Sequence, residues 1–568
     1  MAVVVGGVEG ERFDVVVIGS GFGGSVSAHR LAEGGRSVCV LERGKAYAPH
    51  SFPRSPNGVA DNLWDPSQGL HGMFDLWSFK GIDALVSSGL GGGSLIYANV
   101  LLRKDPSWFV QDHPYRAGTT ERWAVQYEDL ERHYTAVEKF LDVQTLPSGT
   151  AHDLSKTRAM RDAAAFMGPG VEWKLAPLGI RFLDAAGKGR VGGPLPDGLF
   201  PNVHGPDGRR TCRLCGECDI GCNDGAKNTL DHTYLSSAAK AGAVISIRSE
   251  VRALRRSGAG FEVDFVVHRP EAAGTPTDTG GLEVGTVHAR EVVLAAGTLG
   301  STFLALRNRH TLGIQSPAIG TRFCGNGDLL GFILGAKQAL EGSRGPVITS
   351  YIRSPDAVDT GNPADWGSYL EDAGYPAFLE WLVEATQVRG LASRAARFAW
   401  ARVRERVTGR PSTNVSGALR ALLGPNALST HALPVLGMGR DVPDGLLYLR
   451  NGAGERKPML DSTWTTATSE AYFASLEHRM QQVAEALCGR YERNPLGLLR
   501  RVITVHPLGG LPMSDNPNDG VVDGHGRVFG VPGLYVADGS VMPGPVGANP
   551  SLTIAAFADR MCETMLEG

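Results

Sequence analysis

The chain has 568 residues, of which 42% are hydrophobic and 20% charged, so it is neither intrinsically disordered nor too short to bury a core. Lys and Arg number 56 and Asp and Glu 59, and this near-balance provides no positive field for a polyanion, which argues against nucleic acid as a partner. At roughly 150 residues per domain the length allows three or four units. Because large cofactor enzymes often interleave their segments, we expect two lobes.

The first 19 residues have no basic stretch before their short apolar run and no small-residue cleavage site, unlike a signal peptide. The sequence also lacks a run of about 18 apolar residues. We therefore expect a soluble, cytoplasmic protein without a transmembrane segment, although association with a membrane surface needs no spanning helix.

The first 42 residues follow the order strand, glycine turn, helix, strand, acid. The predicted strands cover 13–18 and 37–41, and the predicted helix covers 25–33. Gly19 allows the tight turn, Gly21 lets the backbone approach a pyrophosphate, and Gly24 lets helix and strand pack closely. Glu42 can accept the hydroxyls of an adenosine ribose and would repel the 2′-phosphate of NADP. Gly23, within the same turn, is a further candidate contact.

Two later segments add glycine turns to this unit. Residues 88–94 contain consecutive glycines whose amides can form an anion-binding nest or lie flat against a ring. Farther on, alternating residues predict strands at 248–252, 261–267 and 284–287, and a buried strand at 291–295 ends in another glycine turn. The candidate cofactor contacts in these segments are Gly89, Gly92, Gly93, Ser94, Val251, Ala296 and Gly297.

The last part of the chain carries the candidate reactive residues. A predicted strand at 534–537 ends in Asp538 and Gly539, and Asn549 with Pro550 is predicted to start a helix that runs to 565. Asn is a preferred N-cap and Pro a preferred first helical residue. The positive end of that helix can also face a cofactor ring that gains negative charge on reduction. His506 follows a predicted strand at 502–505.

Together these motifs resemble the glucose-methanol-choline (GMC) family of FAD-dependent oxidoreductases. The resemblance rests on GSGFGGS at 19–25, SGLGGGSL at 88–95, VVLAAGTLGS at 292–301, HPLGG at 506–510 and LYVADGSVMPGPVGANPSLTIAAFADR at 534–560. The pairing of His506 with Asn549 is similar to the cholesterol-oxidase-like branch. The resemblance implies an α/β (α+β overall) fold, with a Rossmann-like FAD lobe assembled from distant segments and an inserted β-sheet substrate lobe.

The same resemblance implies that His506 and Asn549 flank the flavin ring and hold the substrate hydroxyl. Alcohol oxidation removes a proton from oxygen and a hydride from carbon, and a neutral histidine can take or hold that proton. FAD takes the hydride. Members of the family differ in which group is the base, so His506 is assigned to proton handling without being named the sole base.

The resemblance also implies a division of the chain. We expect the FAD-binding lobe at 12–120, 225–325 and 500–568, and the substrate lobe at 121–224 and 326–499. Within the latter, residues 368–376 resemble a stretch that places a glutamate over the steroid in cholesterol oxidases, which makes Glu371 the counterpart; a solvent-facing acid in a loop is the alternative. Seven arginines between 389 and 410 indicate a charged helix face that contacts solvent, an anionic membrane or a partner.

Four clustered cysteines are the feature least like secreted relatives of this branch. Cys212, Cys215, Cys218 and Cys222 have the C-x2-C-x2-C-x3-C spacing of bacterial ferredoxins, with Asn223 in place of the trailing proline. Some sugar dehydrogenases of the family carry an iron–sulfur cluster in a comparable segment. An iron–sulfur centre ([3Fe-4S] or [4Fe-4S]), a zinc site and a packed or redox-sensitive loop without metal all remain open.

We therefore expect an FAD-dependent oxidase or dehydrogenase that acts on a bulky, largely apolar alcohol, with a sterol or hydroxysteroid favoured over a long-chain alcohol. Its electrons would go to oxygen, or through an iron–sulfur centre to a protein or quinone acceptor. A lyase that keeps FAD only as a structural group is a third alternative. Bleaching of the flavin by substrate separates the redox functions from the lyase.

Overall fold

A computed structural model describes residues 3–196, 203–205, 208–356, 363–376, 431–451, 458–494 and 501–567. The α-helices within these ranges are Phe22–Glu33, Pro56–Asp61, Tyr127–Phe140, Ser155–Met167, Tyr234–Lys240, Gly297–Arg307, Arg309–Leu312, Glu470–Ala486 and Ser551–Glu567. No helix among the described residues is long and apolar enough to cross a bilayer.

The first sheet has eight strands. In spatial order it runs Val3–Val5, Val244–Ile247, Val38–Leu41, Arg12–Ile18, Val284–Leu294, Gly260–Val267 and Ser249–Ser257, and Leu534–Val536 also pairs with Val284–Leu294. The strands at its centre pair in parallel, and their apolar runs at 15–18, 38–41 and 292–294 are buried, as continuous Val and Ile runs predict. The mixed α/β architecture confirms the predicted fold class.

One strand of the first sheet corrects the sequence prediction. We predicted separate strands at 284–287 and 291–295, but Val284–Leu294 is a single strand of 11 residues. Its first half pairs antiparallel with Gly260–Val267, and its second half pairs parallel with both Arg12–Ile18 and Leu534–Val536. The polar residues between the two halves indicated that one strand ended and another began. The strand instead continues, and the change from apolar alternation to a continuous apolar run follows from its change of pairing partner.

The helices that cover the first sheet pack against one another. Phe22–Glu33 contacts Ser551–Glu567, which in turn contacts Tyr127–Phe140. The buried side chains Leu130, Tyr134 and Val137 belong to the same core as the central strands. The first sheet is therefore covered by segments from three distant parts of the chain.

The second sheet is antiparallel and has six strands. In spatial order they are Glu172–Leu175, Ser350–Ser354, Ser368–Asp372, Leu433–Gly439, Leu329–Leu334 and Arg490–Arg493. Alternate residues such as Ile333, Ile352, Leu370 and Val435 pack against helices Ser155–Met167 and Glu470–Ala486. Because side chains alternate between faces, Leu330, Glu371 and Leu436 point to the opposite face.

The remaining strands form small sheets around these two. Val502–Thr504, Ile82–Ser87 and Phe74–Ser78 make a three-stranded sheet, and the two-stranded pairs are Leu447–Asn451 with Pro458–Ser462, Trp64–Asp65 with Leu70–His71, and Val110–Asp112 with Thr120–Arg122. We propose the two-lobe division at the predicted boundaries, with one adjustment. Helix Tyr127–Phe140 packs on the first sheet, which moves the first boundary beyond it.

Candidate active site

A cavity of about 600 Å³ joins the two sheets, a size within the usual range of roughly 300–1,000 Å³ for ligand sites. Most of the predicted site residues meet in its wall. They are Gly19, Gly21, Gly23, Glu42, Gly92, Gly93, Val251, Ala296, Gly297, His506, Asp538, Gly539, Asn549 and Pro550. Residues separated by more than 500 positions in the chain therefore share one site.

The glycine turn after the first long strand is shaped by close approaches of the backbone. Gly19 has a φ of 98°, and a Cβ there would collide with the carbonyl of Ala295. A Cβ at Gly21 would meet nothing within 4 Å, whereas one at Gly92 would lie 2.6 Å from the Cα of Gly21. The two glycine segments thus press together and leave bare backbone facing the cavity, which fits a pyrophosphate.

Glu42 is buried at the end of the second predicted strand and is tied to the glycine turn. Its Oε2 accepts hydrogen bonds from the amide and hydroxyl of Ser20, at 3.1 and 2.6 Å, and its Oε1 accepts one from the amide of Gly44 at 2.8 Å. A carboxylate offers about four acceptor positions. About one therefore remains for a ribose hydroxyl.

We expect Glu42→Gln to weaken FAD binding by about 10- to 100-fold, because hydrogen bonds to a charged acceptor contribute roughly 1.5–3 kcal/mol. The new amide N–H would also face donors on Ser20 or Gly44. The measurement is the dissociation constant of FAD from the reconstituted apoprotein. Glu33→Gln is the matched control because Glu33 is exposed, and equal effects of the two substitutions would contradict the assignment.

Asp538 joins the strand Leu534–Val536 to the segment that follows Val284–Leu294. Its Oδ2 accepts hydrogen bonds from the Gly297 amide and the Ser301 hydroxyl, and its Oδ1 accepts two from Ser540. Burial raises the pKa of this carboxyl, and these donors oppose that effect. With four donors already bound, Asp538 holds the cavity wall together.

His506 lines the cavity and is held from behind by Asp328. The Nδ1 of His506 lies 2.9 Å from Oδ1 of Asp328, whose other oxygen accepts bonds from the Thr504 hydroxyl and the Val505 amide. Because a carboxylate can only accept, Nδ1 carries the hydrogen. The lone pair of Nε2 is thereby left free to accept a proton in the cavity.

Segment 325–328 connects His506 to the loop before Asn549. The side chain of Asn326 donates to the carbonyl of Ala548 at 3.0 Å and accepts from the amide of Gly547 at 2.8 Å. Asp441 accepts hydrogen bonds from the amides of Gly325 and Gly327. The same short segment therefore positions both of the predicted reactive residues.

Asn549 and Glu371 form a buried polar pair beside the cavity. The Nδ2 of Asn549 lies 3.4 Å from Oε2 of Glu371. The Oδ1 of Asn549 and the Oε1 of Glu371 are buried and have no hydrogen-bond partner among the described residues. The predicted N-cap at Asn549 is therefore wrong, since a capping oxygen accepts from the first turn, and the helix begins at Ser551. A buried unpaired oxygen is costly, so Oδ1 of Asn549 is suited to a bound ligand.

Glu371 itself does not line the cavity and is not the solvent-facing acid of the alternative interpretation. It is fully buried on the strand Ser368–Asp372, directly opposite Leu436, which does line the cavity. Burial raises the pKa of its carboxyl to about 8, and the hydrogen bond from Asn549 opposes that rise. Glu371 therefore reaches the site through Asn549.

The raised pKa predicts a pH effect on stability. Between about 4.5 and 8 the folded chain keeps the Glu371 proton that the unfolded chain releases, so this group lowers stability as the pH rises through that window, by up to about 1.4 kcal/mol per pH unit. We expect Glu371→Gln to flatten the profile of unfolding free energy against pH relative to wild type. The measurement is the free energy of unfolding of both proteins, obtained with denaturant at pH 6 and 8. An equal change between the two pH values in both proteins would contradict a buried, neutral Glu371.

Comparison with known proteins decides the family. Residues 462–558 match the model of the GMC oxidoreductase family, and residues 14–69 match an FAD binding domain. Cholesterol oxidase of Mycobacterium tuberculosis is 31% identical over 96% of this chain and 90% of its own length. The chain belongs to the GMC oxidoreductase family.

A second relative and a solved structure are also similar to this chain. A cholesterol oxidase of Acinetobacter baumannii is 28% identical over 96% of this chain and 93% of the relative. The crystal structure of pyridoxine 4-oxidase from Mesorbium loti superposes with a TM-score of 0.58 at 17% identity, covering 98% of this chain and 99% of that chain, a likeness of fold alone. As a GMC oxidoreductase the chain is an FAD-dependent alcohol oxidoreductase.

The cavity of this GMC oxidoreductase suits FAD on structural grounds as well. The bare backbone at Gly21 and Gly92 could hold the pyrophosphate, and Glu42, which lines the same cavity, could accept a ribose hydroxyl. Pro550 and Ser551, at the start of the last helix, also line the cavity, so the positive end of that helix could stabilise a cofactor ring that gains electrons.

Three predicted cofactor contacts lie behind the wall of the GMC site. A Cβ at Gly24 would collide with the carbonyl of Gly19, and the carbonyl of Gly89 accepts a hydrogen bond from Ser20. Ser94 accepts from the amide of Leu230 and donates to the carbonyl of Gly91. Gly24, Gly89 and Ser94 therefore shape the glycine turns and do not line the cavity.

Sequence reasoning missed the residues that support this site. Asp328 and Asn326 lie in a GNGD loop before a strand, and only the weak turn signal of that loop could have indicated them. Ser20, within the glycine turn, is the donor that engages Glu42. The arginines between 389 and 410 lie outside the described residues, so surface association stays a prediction.

The four clustered cysteines of this GMC chain come together in the structure. Cys212, Cys215, Cys218 and Cys222 line one small cavity beside the active site. All eight cysteines of the sequence are described, and all are free thiols. The segment is therefore not a disulfide-bonded staple.

Proposed function

We propose that the protein oxidises the hydroxyl of a bulky, largely apolar alcohol, with a sterol or other hydroxysteroid favoured and a long-chain alcohol second. The observation that carries this proposal is the composition of the part of the cavity wall that comes from the second sheet and its neighbouring segments. The second sheet contributes Leu330 and Leu436 there, and neighbouring segments add Val347 and Ile348. An apolar wall favours an apolar substrate, because burying apolar surface is worth roughly 25 cal/mol per Å².

The polar groups near that wall are few and convergent. His506 presents a free Nε2 because Asp328 binds its Nδ1, so Nε2 can accept the proton of the substrate hydroxyl. Asn549 has an unpaired Oδ1 and an amide held by Glu371, so it can orient the substrate oxygen and the edge of the cofactor. FAD supplies the hydride acceptor. This arrangement suits removal of a proton and a hydride from one alcohol.

The names of the relatives support the substrate class without fixing it. Two relatives that align along almost the whole chain are named cholesterol oxidases, whereas the structural neighbour with 17% identity is named for pyridoxine. The apolar residues of the cavity wall support a sterol as the substrate. We therefore rank a sterol above a small polar alcohol.

The test is anaerobic bleaching of the flavin absorbance by single substrates. We expect cholesterol or another 3-hydroxysteroid, and more weakly a long-chain primary alcohol, to reduce the flavin, and pyridoxine and glucose to leave it oxidised. Reduction by the polar alcohols alone would overturn the substrate proposal. Turnover of a substrate without bleaching would indicate the lyase alternative.

A second candidate function concerns the fate of the electrons. The relatives named oxidases favour oxygen as acceptor, but the cysteine-lined cavity beside the active site favours a dehydrogenase that passes electrons through an iron–sulfur centre to a protein or quinone. Comparing reoxidation of the reduced flavin by oxygen and by a soluble quinone separates the two. Faster reoxidation by the quinone supports the dehydrogenase, and stoichiometric peroxide supports the oxidase.

We infer a cytoplasmic location from the thiols. Eight cysteines, all free in the structure, suit a reducing compartment. Fractionation of the native host tests this, and recovery of the protein outside the cytoplasm would contradict it.

A further inference from the structure

One acidic residue in the wall of the active-site cavity has no role in the chemistry described so far. Asp219 lies in the turn Cys218–Ile220 and lines this cavity. The residue is partly accessible, so its accessible surface opens into the cavity. We propose that the carboxylate of Asp219 binds a second hydroxyl of the substrate, separate from the hydroxyl that is oxidised. This inference rests on the proposed function, because it concerns the same substrate.

The carboxylate of Asp219 is not engaged by the protein. Among the described residues it accepts no hydrogen bond and forms no ion pair, and the groups whose charge acts on it are the ammonium groups of Lys227 and Lys156. Both ammonium groups are held by backbone carbonyls instead, three for Lys227 and two for Lys156. The oxygens of Asp219 are therefore available to a bound molecule.

The turn that carries Asp219 is bonded to the part of the wall on which the substrate proposal rests. Val347 donates its amide to the sulfur of Cys218, directly before Asp219. Val347 also lines the cavity, as do its neighbour Ile348 and Leu436 of the second sheet. Asp219 therefore adds a polar group to a wall that is otherwise apolar there.

An acid without a partner in such surroundings is costly. Cys218, Val347, Ile348 and Val100 belong to one buried apolar cluster, and a polar group beside such a cluster loses water without gaining a hydrogen bond. A hydroxyl on the ligand would supply the missing donor. A ligand without that hydroxyl would leave the acid unpaired, and sites of this kind discriminate strongly against such analogues.

The charges nearby favour a neutral donor over an ammonium group. Lys156 lies 3.3 Å from Asp372, which balances its charge. The acids with the largest effect on Lys227 are Asp219 and Asp231, and Asp231 already pairs with a histidine. Asp219 therefore balances Lys227. A cationic group of the substrate would bring a further positive charge close to two ammonium groups, whereas a hydroxyl brings none.

The test compares paired substrates on the FAD-loaded full chain. One set pairs a 3-hydroxysteroid with the same steroid carrying a second hydroxyl on ring B, C or D, and the other pairs a long-chain primary alcohol with its diols. We expect kcat/KM to be about 10- to 100-fold higher for at least one diol than for its partner, the scale of a hydrogen bond to a charged acceptor. The gain should lie mainly in KM, because the contact is the same before and during the reaction.

Variants then assign the preference to Asp219. We expect Asp219→Leu to abolish the preference for the diol without lowering kcat/KM for the monohydroxy partner, and Asp219→Asn, which keeps an acceptor oxygen, to retain part of it. Asp224→Asn is the matched control, because Asp224 lies nearby in sequence, binds Arg213 and does not line the active-site cavity. A preference that survives in Asp219→Leu would overturn the inference.

The remaining outcomes separate this inference from the proposed function. Oxidation of the monohydroxy alcohols with no preference for any diol would overturn the role of Asp219 and leave the proposed function intact. Oxidation of neither member of any pair would overturn both. Loss of FAD from Asp219→Leu, with both members of a pair affected equally, would assign the carboxylate to the cofactor and also overturn the inference.

Discussion

His506→Ala is expected to keep FAD and lose turnover by at least about 10²-fold, the usual scale for a positioned proton-transfer group. The Nε2 of His506 is the free nitrogen of a ring fixed from behind by Asp328, and it faces the cavity that holds Asn549. The rate of anaerobic flavin reduction and the FAD content give the two readouts. Reduction at the wild-type rate would remove His506 from the chemistry.

Asp328→Asn tests the support of His506 separately from His506 itself. Without the carboxylate the imidazolium form loses a favourable charge, so we expect a rate loss of about 10- to 100-fold and an acid limb of the pH–rate profile shifted to lower pH. Asp441→Asn is the matched control, because Asp441 is equally buried and binds the same segment without touching His506. If both variants lower the rate and neither moves the acid limb, Asp328 is structural only.

Asn549→Asp is expected to slow flavin reduction by at least about 10²-fold and to lower the reduction potential of the flavin. The substitution places a second carboxyl 3.4 Å from Glu371, and the pair would retain negative charge beside a ring that must gain charge. The loss should deepen as the pH rises. The measurements are anaerobic reduction rates between pH 6 and 9 and a redox titration of the flavin.

Asn549→Ala separates charge from the missing amide. The Asn549→Ala enzyme should reduce its flavin more slowly because the substrate is oriented less well. The reduction potential of its flavin should stay closer to that of the wild type than in Asn549→Asp. Because the side chain of Asn549 does not cap the last helix, loss of helix stability does not explain a slow Asn549→Asp enzyme. An unchanged potential in Asn549→Asp would show that this side chain does not face the ring.

The sequence was informative where local geometry and function coincide. Gly19 and Gly21 are recognisable because few other residues allow that turn, and the structure shows the close contact with Ala295 that requires Gly19. The buried strands were equally clear, since a parallel strand covered on both faces is apolar along its length. The family assignment followed from several such local motifs in one chain.

The supporting residues were not predictable because their partners are distant in sequence. Asp328 lies 178 positions from His506, and nothing within segment 325–328 indicates which side chain it will meet. For Asn549 the local sequence did make a prediction, and that prediction was wrong. Its neighbours Pro550 and Ser551 favour an N-cap on local grounds, but contact with Glu371 on another strand directs the side chain elsewhere. Tertiary contact decided both cases.

The pairing of Val284–Leu294 has a consequence for when the enzyme acquires its cofactor. This strand can complete its parallel half only after Leu534–Val536 has been synthesised, and the cavity wall also needs Asn549 and Pro550. Such distant pairings are slow to form because a long loop must close first. We therefore expect FAD capture to follow translation of residue 550, and until then the apolar central strands lack part of their final packing and are prone to aggregation.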